Sequence, residues 1–182
     1  MRKIIIITCV FAFLLTSCNS ITGVKEVKVA DVASIEVPAL LTESKDLNDD
    51  AAVQMANGLQ ELYVIVIEEN KQEFNDLIKE TDGVFDDDFT ADLYGYAKVA
   101  ASSIESGIEL KSKEDLISIN TNGLSTYVAS FEGKINGLNV FYKLSCVEGK
   151  DRYYQILTWT LSSSKKKHLD AMNAMINSFK EI

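Results

Sequence analysis

The second half of the chain shows the clearest pattern of apolar and polar positions. Four runs rich in apolar and β-branched residues cover residues 116–121, 124–132, 138–147 and 152–161. Two of the connections contain Asn122-Gly123 and Asn136-Gly137, dipeptides that readily adopt the positive φ angles of tight hairpin turns. The third connection is Glu148-Gly149-Lys150. This spacing predicts an antiparallel meander of four strands.

Shorter strand-like pieces occupy the first half of the chain. Residues 34–37 form one such piece and are followed by Pro38. Because proline has no N–H to donate, Pro38 should end the strand or lie at a sheet edge. Residues 51–57 and 61–68 are predicted to form a hairpin around Asn57-Gly58. Within it, residues 62–67 are continuously apolar, which is typical of a central strand covered on both faces.

Two segments in the middle of the chain have helical spacing. Phe74, Leu77 and Ile78 indicate a short helix. A longer helix is predicted over residues 89–104, with Asp88 as its N-cap. Its apolar face consists of Phe89, Leu93, Ala97, Ala100 and Ile104. Gly95 lies inside this helix, and a close backbone contact is one possible reason for a glycine there.

The chain ends in a third helical segment. Ser162–Ser164 supplies N-cap candidates, and the apolar face that follows consists of Leu169, Met172, Ile176 and Phe179. We expect this helix to cover one face of the sheet, with Trp159 in the core beneath it. Helices flanking a mostly antiparallel sheet define an α+β fold.

The N-terminus has the layout of a bacterial secretion signal. Arg2 and Lys3 precede an apolar run over residues 4–15, which is too short to span a membrane. Leu15-Thr16-Ser17-Cys18 resembles a lipobox, in which the cysteine receives a diacylglycerol. The alternative is an ordinary signal peptide with an incidental cysteine. We predict a signal peptide over 1–17, lipid attachment at Cys18, a short tether over 18–24 and a single domain over 25–182.

This signal predicts a cell-envelope protein held on a membrane by its lipid. Asn19 is not the aspartate that commonly retains lipoproteins on the inner membrane, so we expect the outer membrane, on a side that the sequence leaves open. Cleavage would change the net charge from −9 to −11 by removing Arg2 and Lys3. Such an acidic surface repels nucleic acids, which are excluded as partners.

Few residues offer catalytic or metal-binding chemistry. Cys146 lies in a predicted strand and has no partner for an intramolecular disulfide, so we expect a buried and inert thiol. His168 is the only histidine, and we expect it on the solvated surface beside Lys165-Lys166-Lys167. Those lysines are interpreted as a solvated face, with a docking patch for an acidic partner as the alternative.

Two groups of carboxylates were candidates for a metal or acid–base site. Residues 82–88 are rich in aspartate but lack the alternating spacing of a calcium-binding loop, so helix capping is the simpler interpretation and calcium the alternative. Glu68 and Glu69 are neighbours on a strand and should point to opposite faces, which makes them a poor catalytic pair. The sequence therefore predicts no catalytic residues, no metal ligands and no cofactor.

Several segments resemble the PsbP-like family. They are Ser34-Ile35-Glu36-Val37-Pro38, Glu61-Leu62-Tyr63-Val64, the stretch from Asn136 to Ile156, Trp159-Thr160 and Ile176-Asn177-Ser178-Phe179. That family includes an extrinsic photosystem II subunit, a Ran-binding nuclear transport factor and DcrB-like bacterial lipoproteins. The resemblance implies an α/β/α sandwich with a central antiparallel sheet, and binding or assembly roles. Its motifs are structural, so no catalytic residue is carried over.

Two functions follow as hypotheses. The first is a non-enzymatic module that binds or helps to assemble another envelope protein, at a surface that the sequence does not identify. The second is a carrier of a small ligand or lipid, held in an apolar cavity between the sheet and a helix. A hydrolytic enzyme is a distant third. A cavity with a few convergent polar groups would favour the carrier, and an exposed patch without a cavity would favour the protein partner.

Overall fold

A computed structural model describes residues 23–81 and 89–182 of this protein. The described residues form eleven strands and three helices. The strands are β1 (Val24–Val29), β2 (Ala33–Pro38), β3 (Thr42–Glu43), β4 (Ala51–Asn57), β5 (Leu62–Asn70), β6 (Glu109–Lys113), β7 (Ile117–Thr121), β8 (Leu124–Ile135), β9 (Leu138–Glu148), β10 (Arg152–Leu161) and β11 (Lys180–Glu181). The helices are α1 (Lys71–Glu80), α2 (Leu93–Gly107) and α3 (Lys165–Ser178).

Eight of these strands form one large antiparallel sheet. Its order is β3-β4-β5-β10-β9-β8-β6, and β7 pairs with the same edge of β8 as β6 does. The predicted meander from β7 to β10 is confirmed, as is the position of residues 62–67 on an inner strand. The remaining three strands form a small sheet in the order β1-β2-β11, and β2 ends at Pro38 as predicted.

Turn chemistry explains the long hairpins. Asn122 and Gly123 have φ angles of 51° and 91°, and Asn136 and Gly137 have 48° and 84°, as a tight hairpin turn requires. The β4–β5 hairpin is also present, but the positive φ predicted for Asn57-Gly58 is wrong. The positive φ occurs at Glu61, with 55°, because the connection is longer than a two-residue turn.

The large sheet is covered on both faces. The small sheet and α3 pack on one face, and their shared core contains Ile35, Leu62, Tyr154 and Met172. Helices α1 and α2 pack on the other face, around Phe74, Tyr96, Leu144 and Tyr153. The α+β prediction is thus confirmed, with one refinement. One outer layer combines a helix with a small sheet, because the N-terminal strands pair with each other and with β11.

Two helix boundaries differ from the prediction. Helix α3 ends at Ser178, so Phe179 lies just beyond it, although this residue is buried as expected. Helix α2 begins at Leu93, so Phe89 lies before it. Its N-cap is Asp92, whose carboxylate accepts a hydrogen bond of 2.9 Å from the Gly95 N–H. The predicted N-cap Asp88, the aspartate-rich residues 82–88, the signal peptide and Cys18 all lie outside the described residues. None of the helices within 23–81 and 89–182 is long and apolar enough to cross a membrane.

Candidate binding site on the sheet face beside α2

Strands β5, β10 and β9 align their side chains in cross-strand rows on the face that α1 and α2 partly cover. The chemistry of these rows changes along the strands from charged to apolar to aromatic. The rows are Glu69, Tyr153 and Glu148; then Ile67, Gln155 and Cys146; then Ile65, Leu157 and Leu144; and finally Tyr63, Trp159 and Tyr142. Successive rows are two residues apart, or roughly 7 Å along each strand. We call the last row, Tyr63, Trp159 and Tyr142, the aromatic row.

The three rings of the aromatic row are in contact. The Tyr63 and Trp159 ring centroids are 5.1 Å apart and their planes differ by 8°, while the Tyr142 and Trp159 centroids are 6.1 Å apart. All three side chains are only partly buried. Because the described helices do not cover them fully, they form an apolar surface that is ordered by its own stacking.

The predicted place of Trp159 in the core beneath the C-terminal helix is therefore wrong. Neighbouring residues of a strand point to opposite faces. Tyr154 and Ile156 point into the core that contains Met172 of α3, whereas Trp159 lies on the face beside α2. Tyr153 shares the face of Trp159, as alternation along β10 requires, and Tyr154 lies on the opposite face.

A cleft of about 410 Å³ lies between α2 and the open part of this sheet face. Ile65, Ile67 and Leu157 form its floor, and Val99 and Ile104 of α2 form one wall. Its other lining residues are Asn48, Asp50, Glu69, Tyr96, Ala100, Ser103, Gly107, Ile108, Ile135, Tyr142 and Gln155. Tyr142 belongs to both the cleft and the aromatic row, so the two surfaces are continuous.

The two charged residues of the cleft, Glu69 and Asp50, lie close together at one end. Both side chains are exposed, but partial burial of the Glu69 carboxylate raises its pKa, and the nearby Asp50 carboxylate raises it further. No lysine or arginine of the described residues forms an ion pair with Glu69 or Asp50. This end of the cleft therefore carries negative charge that the described part of the protein does not neutralise.

Tyr96 adds a buried hydroxyl to the same end. Its side chain is 2% exposed, and its hydroxyl has no hydrogen-bond partner among the described residues. Burial raises the pKa of this phenol, and the charge of Glu69 raises it further, so the hydroxyl stays protonated. A neutral phenol can donate a hydrogen bond to a bound group or accept one from it.

The start of α2 is fixed tightly against the sheet, which positions this polar end. The Tyr96 ring stacks on Tyr153 at 4.9 Å and meets the edge of Phe74 at 5.1 Å. A Cβ on Gly95 would lie 1.8 Å from the Thr90 carbonyl oxygen, so only glycine fits there. The close backbone contact that is one possible reason for a glycine at this position is thus confirmed.

His168 is buried, so its predicted place on the solvated surface is wrong. Its side chain is 0% exposed, and its Nε2 lies 2.7 Å from the Gln60 carbonyl oxygen. Because a carbonyl can only accept, Nε2 carries the proton, and Nδ1 has no partner among the described residues. Burial lowers the pKa of His168. Helical spacing explains why His168 is buried, since it lies one turn before the buried Met172 on α3.

The lysine run is only partly a solvated face. Lys165 forms an ion pair with Glu132, and its ammonium lies 4.1 Å from the centroid of the Phe141 ring. Lys167 donates a hydrogen bond to Gln60, whereas Lys166 is exposed. The predicted solvated face is confirmed for Lys166 and Lys167, whereas Lys165 is half-buried because it pairs with Glu132 of β8.

Cys146, Glu68 and Glu69 lie where they were predicted. Cys146 is 0% exposed, and burial raises its pKa, which makes its thiol inert. Glu68 and Glu69 point to opposite faces, with Glu68 in an ion pair of 3.1 Å with Arg152. No group of three histidine, cysteine, aspartate or glutamate side chains in the described ranges is arranged to hold a metal ion.

The sequence analysis did not identify the cleft. Its polar end combines Glu69 of β5 with Asp50, which precedes β4, and Tyr96 of α2. These residues meet only once the β4–β5 hairpin and α2 pack on the same sheet face. Alternation along β5 and β10 could have indicated the aromatic row, because it places Tyr63 and Trp159 on faces that pairing brings together.

Comparison with known proteins identifies the fold. No protein-family model matches the sequence, and a search of curated proteins finds no match. The crystal structure of LpqN, involved in cell envelope biogenesis of Mycobacterium tuberculosis, is similar with a TM-score of 0.56 at 11% identity. That match covers 87% of this chain and 90% of LpqN.

A second similar structure is the solution structure of cyanobacterial PsbP, CyanoP, from Synechocystis sp. PCC 6803. It matches with a TM-score of 0.53 at 12% identity, over 92% of this chain and 99% of CyanoP. At sequence identities this low, the matches show that these proteins share a fold, and they say nothing about a shared activity. The antiparallel sheet with helices on both faces, predicted from the sequence resemblance and found in the structure, is a PsbP-like fold.

Proposed function

We propose that this protein is a non-enzymatic binding module of the cell envelope, which binds a partner protein through the aromatic row. This proposal is supported by the half-buried stack of Tyr63, Trp159 and Tyr142 on a sheet face that α2 leaves open. Tyrosine and tryptophan are enriched at the centres of protein interfaces, since they combine a large apolar area with a polar atom.

Preorganisation favours this surface as an interface. Binding usually requires flexible side chains to be immobilised, at about 0.5–1.5 kcal/mol each. The three rings already restrict one another through stacking within the free protein. Less conformational entropy is therefore lost when a partner covers them.

The likeness to LpqN supports the envelope as the location, because that protein is described as involved in cell envelope biogenesis. This support is an argument from fold, and the proposed lipid on Cys18 is an independent one from sequence. Five residues, 19–23, would separate the lipid-bearing Cys18 from Val24 at the start of β1, a reach of roughly 20 Å when fully extended. A partner of this module would therefore be sought close to a membrane.

Site-specific crosslinking in intact cells tests this proposal. A photoreactive amino acid would replace Tyr63 in the aromatic row, and, as a control, the exposed Leu77 on α1. We expect one or a few envelope proteins to be captured from position 63 and not from position 77, as identified by mass spectrometry. Capture of the same proteins from both positions, or from position 77 alone, would exclude the aromatic row as the interface.

A small-ligand or lipid carrier is the second candidate function, and the cleft is the observation that favours it. Its volume of about 410 Å³ lies in the range of ligand pockets, and its charged residues, Glu69 and Asp50, lie together at one end. Native mass spectrometry of protein purified from its own cells should then show a bound small molecule. A spectrum with the mass of the acylated polypeptide alone would count against the carrier.

A further inference from the structure

The geometry of the cleft points to a ligand class, which we infer to be an amphiphile with one apolar chain and a positively charged amine head. The head would lie at Glu69 and Asp50, and the chain would extend along α2 toward Tyr142 and Trp159. This inference rests on the carrier function, the second candidate above, and does not depend on the protein partner.

The order of the rows supports the orientation of such a ligand. Along β5, the residues on this face follow in the order Glu69, Ile67 and Ile65, the last two of which form the cleft floor. Tyr63 of the aromatic row comes next. On the α2 side, the lining runs from Tyr96 to Gly107, eleven residues or roughly 16 Å along the helix axis. An elongated molecule with one polar end matches this gradient better than a compact polar molecule does.

Charge selects the head group. Glu69 and Asp50 repel each other, and the described residues supply no cation to either carboxylate. An ammonium between them would replace repulsion with two charge-assisted interactions. A carboxylate or phosphate head would add a third negative group to the same end, within a protein of net charge −9.

The Tyr96 hydroxyl is an independent indication of a ligand. A buried hydroxyl without a hydrogen-bond partner destabilises a protein relative to a phenylalanine of the same shape. Tyr96 is buried and unpartnered, and it lines the polar end of the cleft. An ammonium head could donate a hydrogen bond to this oxygen, which would give the hydroxyl a function in the bound state.

Binding affinities of three probes that share a ten-carbon chain but differ in their head group test the proposed charge of the head. Decylammonium, decanol and decanoate would be titrated, below their micelle concentrations, into the full-length protein carrying Cys18→Ala, so that no acyl chain competes for the cleft. We expect decylammonium to bind at least about tenfold more tightly than decanoate, a difference of about 1.4 kcal/mol. Equal affinity for the three probes, or tighter binding of decanoate, would overturn the inference.

Charge-neutralising variants separate the cleft from general attraction to an acidic protein. Glu69→Gln and Asp50→Asn should each weaken decylammonium binding by about five- to tenfold. Glu68→Gln is the matched control, because it removes the same charge from the next residue, which points to the opposite sheet face. If Glu68→Gln weakens binding as much as Glu69→Gln does, the head does not lie in the cleft.

Tyr96→Phe distinguishes a ligand contact from a structural role. Removal of an unpartnered buried hydroxyl should leave the melting temperature unchanged or raise it. The same variant should weaken decylammonium binding severalfold, because a hydrogen-bond acceptor for the head is lost. A lower melting temperature, or an unchanged affinity, would remove Tyr96 from the proposed site.

Trp159 is the only tryptophan of the protein, so its fluorescence reports the orientation of the bound alkyl chain. A decylammonium with bromine at the end of its chain should quench this fluorescence strongly. One with bromine next to the amine should quench it weakly, because Glu69 lies six residues from Tyr63 along β5, or roughly 20 Å. Equal quenching by both probes would contradict the orientation. Crosslinking from the aromatic row can succeed or fail independently of these results.

Discussion

The Trp159 indole lies parallel to the Tyr63 ring, directly across the β10–β5 ladder, with the ring planes 8° apart. Stacked pairs of this kind contribute about 0.5–1.5 kcal/mol beyond the area that they bury. Both rings keep part of their surface in solvent, on the side of the sheet that α3 does not cover. Trp159 is therefore an ordered surface residue and not part of the core beneath α3.

This position changes the expected effect of Trp159→Ala. We expect the variant to lower the free energy of unfolding by about 1–2 kcal/mol, since a half-exposed ring loses less contact on truncation than a buried one. Tyr154→Ala, on the same strand and 0% exposed, should lower it by about 3–5 kcal/mol. Urea unfolding followed by circular dichroism measures both values. Equal losses for the two variants would place the indole in the core.

Local sequence patterns predicted most of the fold. The Asn-Gly turns determine two hairpins, and the apolar run from Leu62 indicates an inner strand, because both signals act over a few neighbouring residues. Strands β3, β6 and β11 were not predicted. β6 consists of five exposed residues, and β3 and β11 have only two residues each, so none of them carries an apolar pattern.

Tertiary packing decided what the sequence could not predict. Alternation showed that Tyr153 and Trp159 share a face, but it could not show that α2 rather than α3 covers that face. For His168 a signal was present. It lies four residues before Met172, so the apolar face of α3 includes it, yet its polarity suggested the surface. The cleft depends on Asp50, Glu69 and Tyr96, which no local pattern connects.

Cys18→Ala tests the proposed membrane anchor. If the lipobox interpretation is right, the variant keeps its signal peptide or is processed at another site, and it no longer fractionates with membranes. One acyl chain binds membranes only marginally and a second makes anchoring stable, so loss of the acylated cysteine should remove nearly all retention. Ser17→Ala, which keeps a small residue before the cysteine, is the control. Unchanged processing and retention of Cys18→Ala would refute the anchor.

Gly95→Ala should destabilise the protein although alanine is the better helix former. The new Cβ would lie 1.8 Å from the Thr90 carbonyl oxygen, so the turn before α2 must move. We expect a loss of about 1–3 kcal/mol or more, as for overpacking. Gly107→Ala is the matched control at the other end of α2, where a Cβ meets nothing within 4 Å, and it should be neutral or slightly stabilising. Thermal melts of both variants would show the opposite order if the contact were absent.

Glu69→Gln should raise the melting temperature of the free protein at pH 7. Burial and the Asp50 charge raise the pKa of Glu69, so the folded state binds its proton more tightly than the unfolded state, where the ordinary value is 4.5. Stability is therefore lost as the pH rises through the folded pKa, and the amide avoids this loss. The gain should vanish as the pH falls below the ordinary value of 4.5, because Glu69 is then protonated in both the folded and the unfolded state.

Glu68→Gln provides the control for that experiment. Glu68 is paired with Arg152 at 3.1 Å, so its replacement should leave the melting temperature at pH 7 unchanged or lower it. The comparison uses melting curves at pH 7 and at pH 4 for both variants. An increase for Glu68→Gln as large as that for Glu69→Gln would mean that the gain comes from reduced net charge and not from the cleft.

Buried His168 should make the stability of the protein depend on pH just below neutrality. Burial lowers the pKa of His168 from its ordinary value of 6.5, so between 6.5 and the lower folded pKa the unfolded state binds a proton that the folded state does not. Stability is consequently full above about pH 7 and falls as the pH decreases through that window. A second proton on Nδ1 would have no acceptor among the described residues.

His168→Gln isolates this effect. The glutamine amide can still donate to the Gln60 carbonyl, which lies 2.7 Å from Nε2 in the native protein, but it does not titrate. Urea unfolding between pH 7.5 and 5.5 should show a falling stability for the native protein and a flatter profile for the variant. This range lies above the ordinary pKa values of exposed carboxyls, so their titration contributes little. Parallel profiles for the two proteins would show that His168 accepts its proton without leaving its buried position.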